Sequence, residues 1–216
     1  MQSGARAKRY AAQVTAHTRV LVTGFGPFLH HDANPSEHLA RALDGRRRRG
    51  VRFEAAILPV RYEEAARRAQ QSGRGRAAVL ALGLAGKATR VRVERRGRNL
   101  CTSHQPDDRG DVRLGRALIG GAPAALLGLD PGPMHEALHA RGITSEGSSD
   151  AGGYVCNDLY YRLLHAGVPT LFVHVPPDIR VDAAADALAE GFTRALGRRT
   201  GCWSGSGPRW TGSASA

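Results

Sequence analysis

Apolar runs and stretches of helical periodicity alternate along the chain. The apolar runs lie at 18–26, 51–60, 76–86 and 168–177, and 89–99 alternates valine with arginine. The helical patterns lie at 34–45, 61–73, 133–142, 182–197 and 157–165, the last of which follows a turn that begins at 149. Runs bounded by glycine or proline predict buried strands, and the alternating segment predicts a half-exposed one. Strands separated by helices of this length predict the α/β class, with a mostly parallel, mixed sheet covered on both faces.

The remaining segments are polar or rich in glycine. Residues 100–132 predict a loop that includes a short hairpin, and the arginines at 46–49 predict a solvated turn. Residues 1–17 are basic and free of acids; a transit peptide is one interpretation, but we favour a flexible leader. The glycine- and serine-rich residues 198–216 predict a disordered tail. The ordered domain is therefore expected over 18–197.

The net charge of +12 suggests a polyanionic partner but does not define one. Six of these charges lie in the two end segments, which contain no acidic residue. No helix-turn-helix, zinc or RNA-binding signature accompanies the rest, so we expect weak association with polyanions and no specific nucleic-acid partner.

Composition also narrows the compartment. No run of 18 apolar residues occurs, so no membrane-spanning helix is expected. The three cysteines form no C-x-x-C pair, which argues against a disulfide framework and against a zinc site. We therefore predict a cytoplasmic protein without a metal or cofactor.

Two glycine-containing turns follow predicted strands. TGFGPF at 23–28 lacks the third glycine of a dinucleotide fingerprint, since Leu29 stands there. Phe25 and Phe28 could instead wall a flat apolar pocket at the strand end, or could simply be core aromatics. GLAGK at 83–87 is an incomplete phosphate loop, so its glycines are better suited to close approach of a ligand near Leu84.

Three residues could form a nucleophilic site. Cys156 follows a glycine turn at a predicted helix start, where the helix dipole favours thiolate. His174, at the end of a buried strand, could act as its base, and Glu94 could orient the imidazole. Each has a simpler interpretation: a small core thiol, a satisfied core histidine and a solvated charge.

Four motifs occur in an order that resembles the pyroglutamyl peptidase I family of cytosolic cysteine peptidases. They are TGFGPF with NPS, GLAG followed by VERRGRN, SDAGGYVCN, and FVHVPP, all within 18–197. The resemblance implies a single-domain, three-layer α/β/α sandwich, commonly a homotetramer, that removes N-terminal pyroglutamate from peptides. It also implies Cys156 as nucleophile, His174 as base and Glu94 as orienting acid. Phe25 and Phe28 would form the substrate pocket, with Tyr154 and Val155 beside the nucleophile.

The sequence departs from the family pattern around this expected pocket. Leu84 and Lys87 replace a glutamine and a glycine of the family's GQAGG, and Arg96 and Arg98 replace apolar residues beside Glu94. His104 and Gln105 stand where arginine and isoleucine are usual. Two alternatives therefore stay open: a cysteine hydrolase of the same fold with shifted specificity, and a catalytically silent basic binding protein.

Overall fold

The computed structural model describes residues 18–28 and 33–198 of the 216-residue chain. The strands are β1 (Thr18–Phe25), β2 (Arg47–Arg48), β3 (Val51–Leu58), β4 (Val79–Leu84), β5 (Val91–Glu94), β6 (Arg96–Arg98), β7 (Cys101–Thr102), β8 (Leu114–Arg116), β9 (Ala125–Leu127), β10 (Ser145–Ser148) and β11 (Thr170–Val175). The helices are α1 (Pro35–Leu43), α2 (Glu64–Gly73), α3 (Gly132–His139), α4 (Val155–His165) and α5 (Val181–Arg198). The expected leader at 1–17 and, beyond Arg198, the expected tail lie outside the described residues.

A seven-stranded mixed sheet forms the centre, in the order β10-β5-β11-β4-β1-β3-β2. The inner strands β11, β4, β1 and β3 are parallel to one another, so their carboxyl ends meet at one edge of the sheet. The strand β5 runs antiparallel to β11, and β2 runs antiparallel to β3. Open α/β sheets bind ligands at the carboxyl edge of their parallel strands.

Helices cover both faces of this sheet. One apolar cluster joins the sheet to α1, α3 and α5, and it includes Leu39, Met134 and Phe192. The other joins the opposite face to α2 and α4, and it includes Ala66 and Tyr160. This arrangement confirms the predicted α/β/α sandwich with a mostly parallel, mixed sheet. Parallel strands need such cover on both faces.

Several local predictions were incomplete. The arginines at 46–49 are not only a turn, since Arg47 and Arg48 pair with β3 as an edge strand. The loop 100–132 contains the β7–β8 hairpin and also β9, which pairs with β6. The strand β10 was missed because its residues, SEGS, carry no apolar pattern. In the described part of the chain, no helix has the length and apolar character needed to span a membrane.

Candidate active site

A cavity of about 460 Å³ opens at the carboxyl edge of β1, β4 and β11. All five predicted pocket residues line it, together with the predicted nucleophile and base: Phe25, Phe28, Leu84, Tyr154, Val155, Cys156 and His174. Glu94 lies behind His174, away from the opening. A larger cleft of about 880 Å³ lies elsewhere, lined by arginines such as Arg113 and Arg162 that pair with Glu63. It contains neither Cys156 nor His174, so we place the chemistry in the smaller cavity.

The carboxylate and the imidazole are brought together by the antiparallel pairing of β5 with β11. Glu94 lies opposite Phe172, and His174 lies two residues further along on the same face. The distance from His174 Nδ1 to Glu94 Oε1 is 2.9 Å. Glu94 is fully buried and His174 is 6% exposed, so the simpler interpretation of Glu94 as a solvated charge is wrong.

The surroundings of His174 favour its charged form. Burial alone would lower the pKa of the imidazole, but hydrogen bonds with Cys156 and Glu94, and their negative charge, raise that pKa to about 9. The ring is also held by Phe172, whose centroid lies 4.8 Å away. An imidazolium fixed between a thiol and a carboxylate can give and take a proton on its cavity side.

Cys156 occupies the first turn of α4, which begins at Val155, two residues earlier than the sequence predicts. Gly152, with φ of +80°, makes the preceding tight turn. The N–H groups of a first helical turn have no intrahelical partner and can hold an oxyanion. The thiol is partly exposed to the cavity and lies against Gly83 of β4.

The start of α4 is tied to the segment that follows Glu94. Asn157 accepts a hydrogen bond from the Arg98 N–H and donates to the Arg98 and Leu100 carbonyls. The Tyr160 hydroxyl donates to the Glu94 carbonyl at 3.0 Å. Sequence reasoning missed both positioning residues; the one available signal was a polar Asn157 in the apolar start of a helix. These contacts fix Cys156 relative to Glu94.

The phenylalanine side of the cavity is held by the start of α1. Asn34 caps this helix by accepting from the Ser36 N–H, and it donates to the Gly26 carbonyl. The Phe25 N–H donates to Ser36 Oγ at 3.0 Å. A side chain at Gly24 would collide with the Ser36 backbone. Asn34 and Ser36 thus orient the turn that carries both phenylalanines, a role that sequence reasoning did not assign.

Tyr154 closes another wall. Its hydroxyl donates to the Pro106 carbonyl at 2.7 Å, and its ring packs edge-on against Tyr62 at 5.7 Å. Burial, and then the nearby Asp108, Asp107 and Cys156, raise the pKa of this phenol well above its usual value. Tyr154 is therefore neutral at neutral pH. Its ring forms a wall of the cavity, and its hydroxyl is already hydrogen-bonded to Pro106.

Arg96 and Arg98, which depart from the family pattern, bind groups other than the Glu94 carboxylate. Arg96 donates to the Ser149 carbonyl, and Arg98 pairs with Asp150 at 2.7 Å. Glu94 is hydrogen-bonded through Oε1 to His174, as described above. Of the other departures, Lys87 and Gln105 line the cavity and His104 is exposed to solvent.

The second thiol of the described chain is passive. Cys101 is 1% exposed, and burial followed by the charge of Asp158 raises its pKa to about 11. Cys202 lies outside the described residues. Within residues 18–28 and 33–198, no group of three or more potential metal ligands is clustered.

A substitution at Gly83 can test how closely the thiol of Cys156 and the imidazole of His174 must pack against β4. A Cβ at this position would lie 2.9 Å from Cys156 Sγ and 3.1 Å from His174 Cδ2. We expect Gly83→Ala to displace both groups and to lower kcat about 10²-fold, because small misplacements are costly in catalysis. Steady-state kinetics measure this. Gly120→Ala, where the added carbon meets open space, should keep its kcat; equal rates in the two variants would contradict the fit.

A carboxylate, an imidazole and a thiol in sequence beside an apolar cavity define a cysteine hydrolase. Comparison with known proteins identifies the family of hydrolases. The family model for pyroglutamyl peptidase (peptidase C15) matches residues 18–184. The chain therefore belongs to the pyroglutamyl peptidase family, a family of cysteine-type exopeptidases.

Individual relatives agree with this assignment. The chain is 34% identical to a pyrrolidone-carboxylate peptidase of Chromobacterium violaceum over 161 residues, covering 73% of this chain and 77% of the relative. It is 35% identical to one from Escherichia fergusonii over 197 residues, covering 82% and 92%. Among solved structures, pyroglutamyl peptidase I of Bacillus amyloliquefaciens superposes with a TM-score of 0.78 at 26% identity, covering 83% of this chain and 97% of that one. A mutant pyrrolidone carboxyl peptidase of Pyrococcus furiosus gives a TM-score of 0.78 at 27% identity, covering 83% and 98%.

Proposed function

We propose that this protein hydrolyses the amide bond that follows an N-terminal pyroglutamyl residue and releases pyroglutamate from peptides. Cys156 is the nucleophile, His174 the acid–base group and Glu94 the residue that positions the imidazole. The observation that carries the proposal is the buried hydrogen bond of 2.9 Å between Glu94 and His174. The imidazole of His174 also contacts Cys156 at the cavity.

The cavity suits an uncharged lactam. Phe25 and Phe28 supply flat apolar walls, with Leu84 and Val155 beside them. No aspartate or glutamate of the described chain lines the cavity, so nothing there would pair with a free amino-terminal ammonium. Pyroglutamate has no such ammonium, whereas ordinary N-terminal residues do. An apolar pocket with few polar groups therefore favours the cyclised residue.

The reaction is acyl transfer in two steps. His174 holds the proton that Cys156 gives up, and the thiolate attacks the carbonyl carbon that joins pyroglutamate to the second residue. N–H groups at the start of α4 stabilise the resulting oxyanion. The imidazolium protonates the departing amine as the C–N bond breaks, leaving a thioester on Cys156. Water, deprotonated by His174, then cleaves the thioester and releases pyroglutamate.

The proposed setting follows from the same chemistry. Cys101 and Cys156 are both free thiols, as is usual in a reducing compartment, which supports a cytoplasmic location. The proposed reaction uses no metal or cofactor. We also propose a homotetramer, which the family resemblance implies; light scattering of the purified chain tests this.

Substrate discrimination tests the function directly. We expect turnover of a pyroglutamyl coumarin amide, and kcat/KM at least about 10²-fold lower for the prolyl and glutamyl analogues. Proline has the same ring size but carries an ammonium and lacks the lactam oxygen, so its charge would be buried without a partner. Fluorescence release measures all three rates. Equal rates would refute lactam recognition. Fast alkylation of Cys156 with no turnover would favour a hydrolase of shifted specificity.

A further inference from the structure

A second cleft opens directly from the catalytic cavity. It has a volume of about 580 Å³ and shares Gly86 and Lys87 with that cavity. From there it extends past Arg90 and Arg92 to Glu146. A peptide held by its first residue between the phenylalanines could therefore continue into this cleft.

The cleft is basic, and two of its cations have no competing acid. Lys87 and Arg90 are exposed, and neither forms an ion pair within residues 18–28 and 33–198. Arg92 lies 3.5 Å from the Glu146 carboxylate and donates to Ser148 Oγ. Glu146 is the single acid among the lining residues, so the cleft has an excess of positive charge.

The sheet register places this charge close to the chemistry. Arg92 is directly opposite His174 in the antiparallel β5–β11 pair, so both side chains leave the same face. Lys87 follows the end of β4, next to β11. The lactam is uncharged, so it offers these cations no charge to pair with. They line the cleft that shares Gly86 and Lys87 with the catalytic cavity, which gives the part of the substrate beyond the scissile bond a place to bind.

We propose, on the basis of the proposed function, that Lys87, Arg90 and Arg92 form a subsite that selects peptides with an acidic residue directly after pyroglutamate. The carboxylate of that residue would lie among three cations at the exit of the cavity. Exposed charge pairs are each modest in water, so the preference for an acidic over a basic residue should be about tenfold in kcat/KM. Because the groups are solvated, salt should weaken it.

The test compares three peptides that differ only in the second residue. They are pyroglutamyl-Asp-Ala amide, pyroglutamyl-Ala-Ala amide and pyroglutamyl-Lys-Ala amide, amidated so that no terminal carboxylate competes. We expect rates in the order Asp, Ala, Lys, with an Asp-to-Lys ratio of about ten at low ionic strength that falls towards one in 1 M NaCl. In Lys87→Glu the ratio should fall at least about fivefold. Since each ratio is taken within one variant, a general loss of activity cancels.

A matched charge reversal serves as the control. Arg19 is exposed near the start of β1, at the opposite edge of the sheet, and Arg19→Glu should keep the wild-type ratio. A ratio near one in the wild-type protein, with all three peptides cleaved, would overturn the subsite while leaving the peptidase function intact. An equal fall in both variants would show a long-range charge effect and would also overturn the subsite. Failure to cleave any peptide or the pyroglutamyl coumarin amide would overturn both proposals.

Discussion

Cys156→Ala is expected to lower kcat on a pyroglutamyl amide by at least about 10⁴-fold, since removing the nucleophile of such a group costs most of the rate enhancement. The apolar cavity remains in this variant, so substrate should still bind with little change in affinity. The substitution removes one partly exposed sulfur atom, which lies at the edge of the apolar cluster of α2 and α4 and approaches Gly83 and His174. Thermal unfolding should therefore be nearly unchanged. Turnover by stopped or continuous fluorescence and binding of an uncleaved analogue measure the two effects separately.

The buried Cys101 provides the matched control for this experiment. Its thiol has a pKa raised to about 11 and is shielded from solvent, so it is neither a nucleophile nor readily alkylated. Cys101→Ala should retain kcat, although it removes a buried side chain. Peptide mapping after brief iodoacetamide treatment at neutral pH should find Cys156 modified and Cys101 protected. Activity that survives in Cys156→Ala and is lost in Cys101→Ala would reverse the assignment.

The main elements of the fold could be predicted because burial leaves a clear pattern. The strands β1, β4 and β11 are buried on both faces and appear as apolar runs in the sequence. The edge strands were harder to predict. Arg47–Arg48 and Ser145–Ser148 are short and polar, and their side chains carry no periodic apolar signal. Such segments become strands because a neighbouring strand offers its backbone for pairing.

The site could be predicted only in part. Local sequence placed Cys156 at a helix start and His174 at a strand end, and both positions are observed. Spacing alone could not bring Glu94 to His174, since they are 80 residues apart and meet only because β5 inserts antiparallel beside β11. The resemblance to a known family supplied that contact. The residues that hold the site, Asn157 and Tyr160, depend on backbone atoms whose positions no sequence pattern reveals.

Glu94→Gln is expected to lower kcat between about 10² and 10⁴-fold without abolishing it. The carboxylate accepts from His174 Nδ1 and so directs the free nitrogen towards Cys156. An amide can present its oxygen to that N–H, but its NH₂ group would then lie at Glu94 Oε2, which has no hydrogen-bond partner in the described residues. In the reverse orientation the amide donates and selects the wrong tautomer. Either way the imidazole is poorly held. Glu136→Gln, on an exposed helix position, makes the same chemical change away from the site and should keep full activity.

The pH profile separates this positioning role from simple loss of structure. In the wild-type protein the pKa of His174 is raised to about 9, so the imidazolium that expels the amine is lost as pH rises through that value, and kcat/KM, which follows the ionisation of the free enzyme, should fall near pH 9. Glu94 contributes to the raised pKa through its hydrogen bond and its charge, so the neutral glutamine lowers it. The basic limb of the profile should therefore move to lower pH in Glu94→Gln, while a merely destabilised enzyme would lose rate at every pH with the limb unmoved. An unshifted limb with kcat within a few-fold of wild type would show that the contact between Glu94 and His174 does not set the state of the base, and the acid would then have to be sought elsewhere.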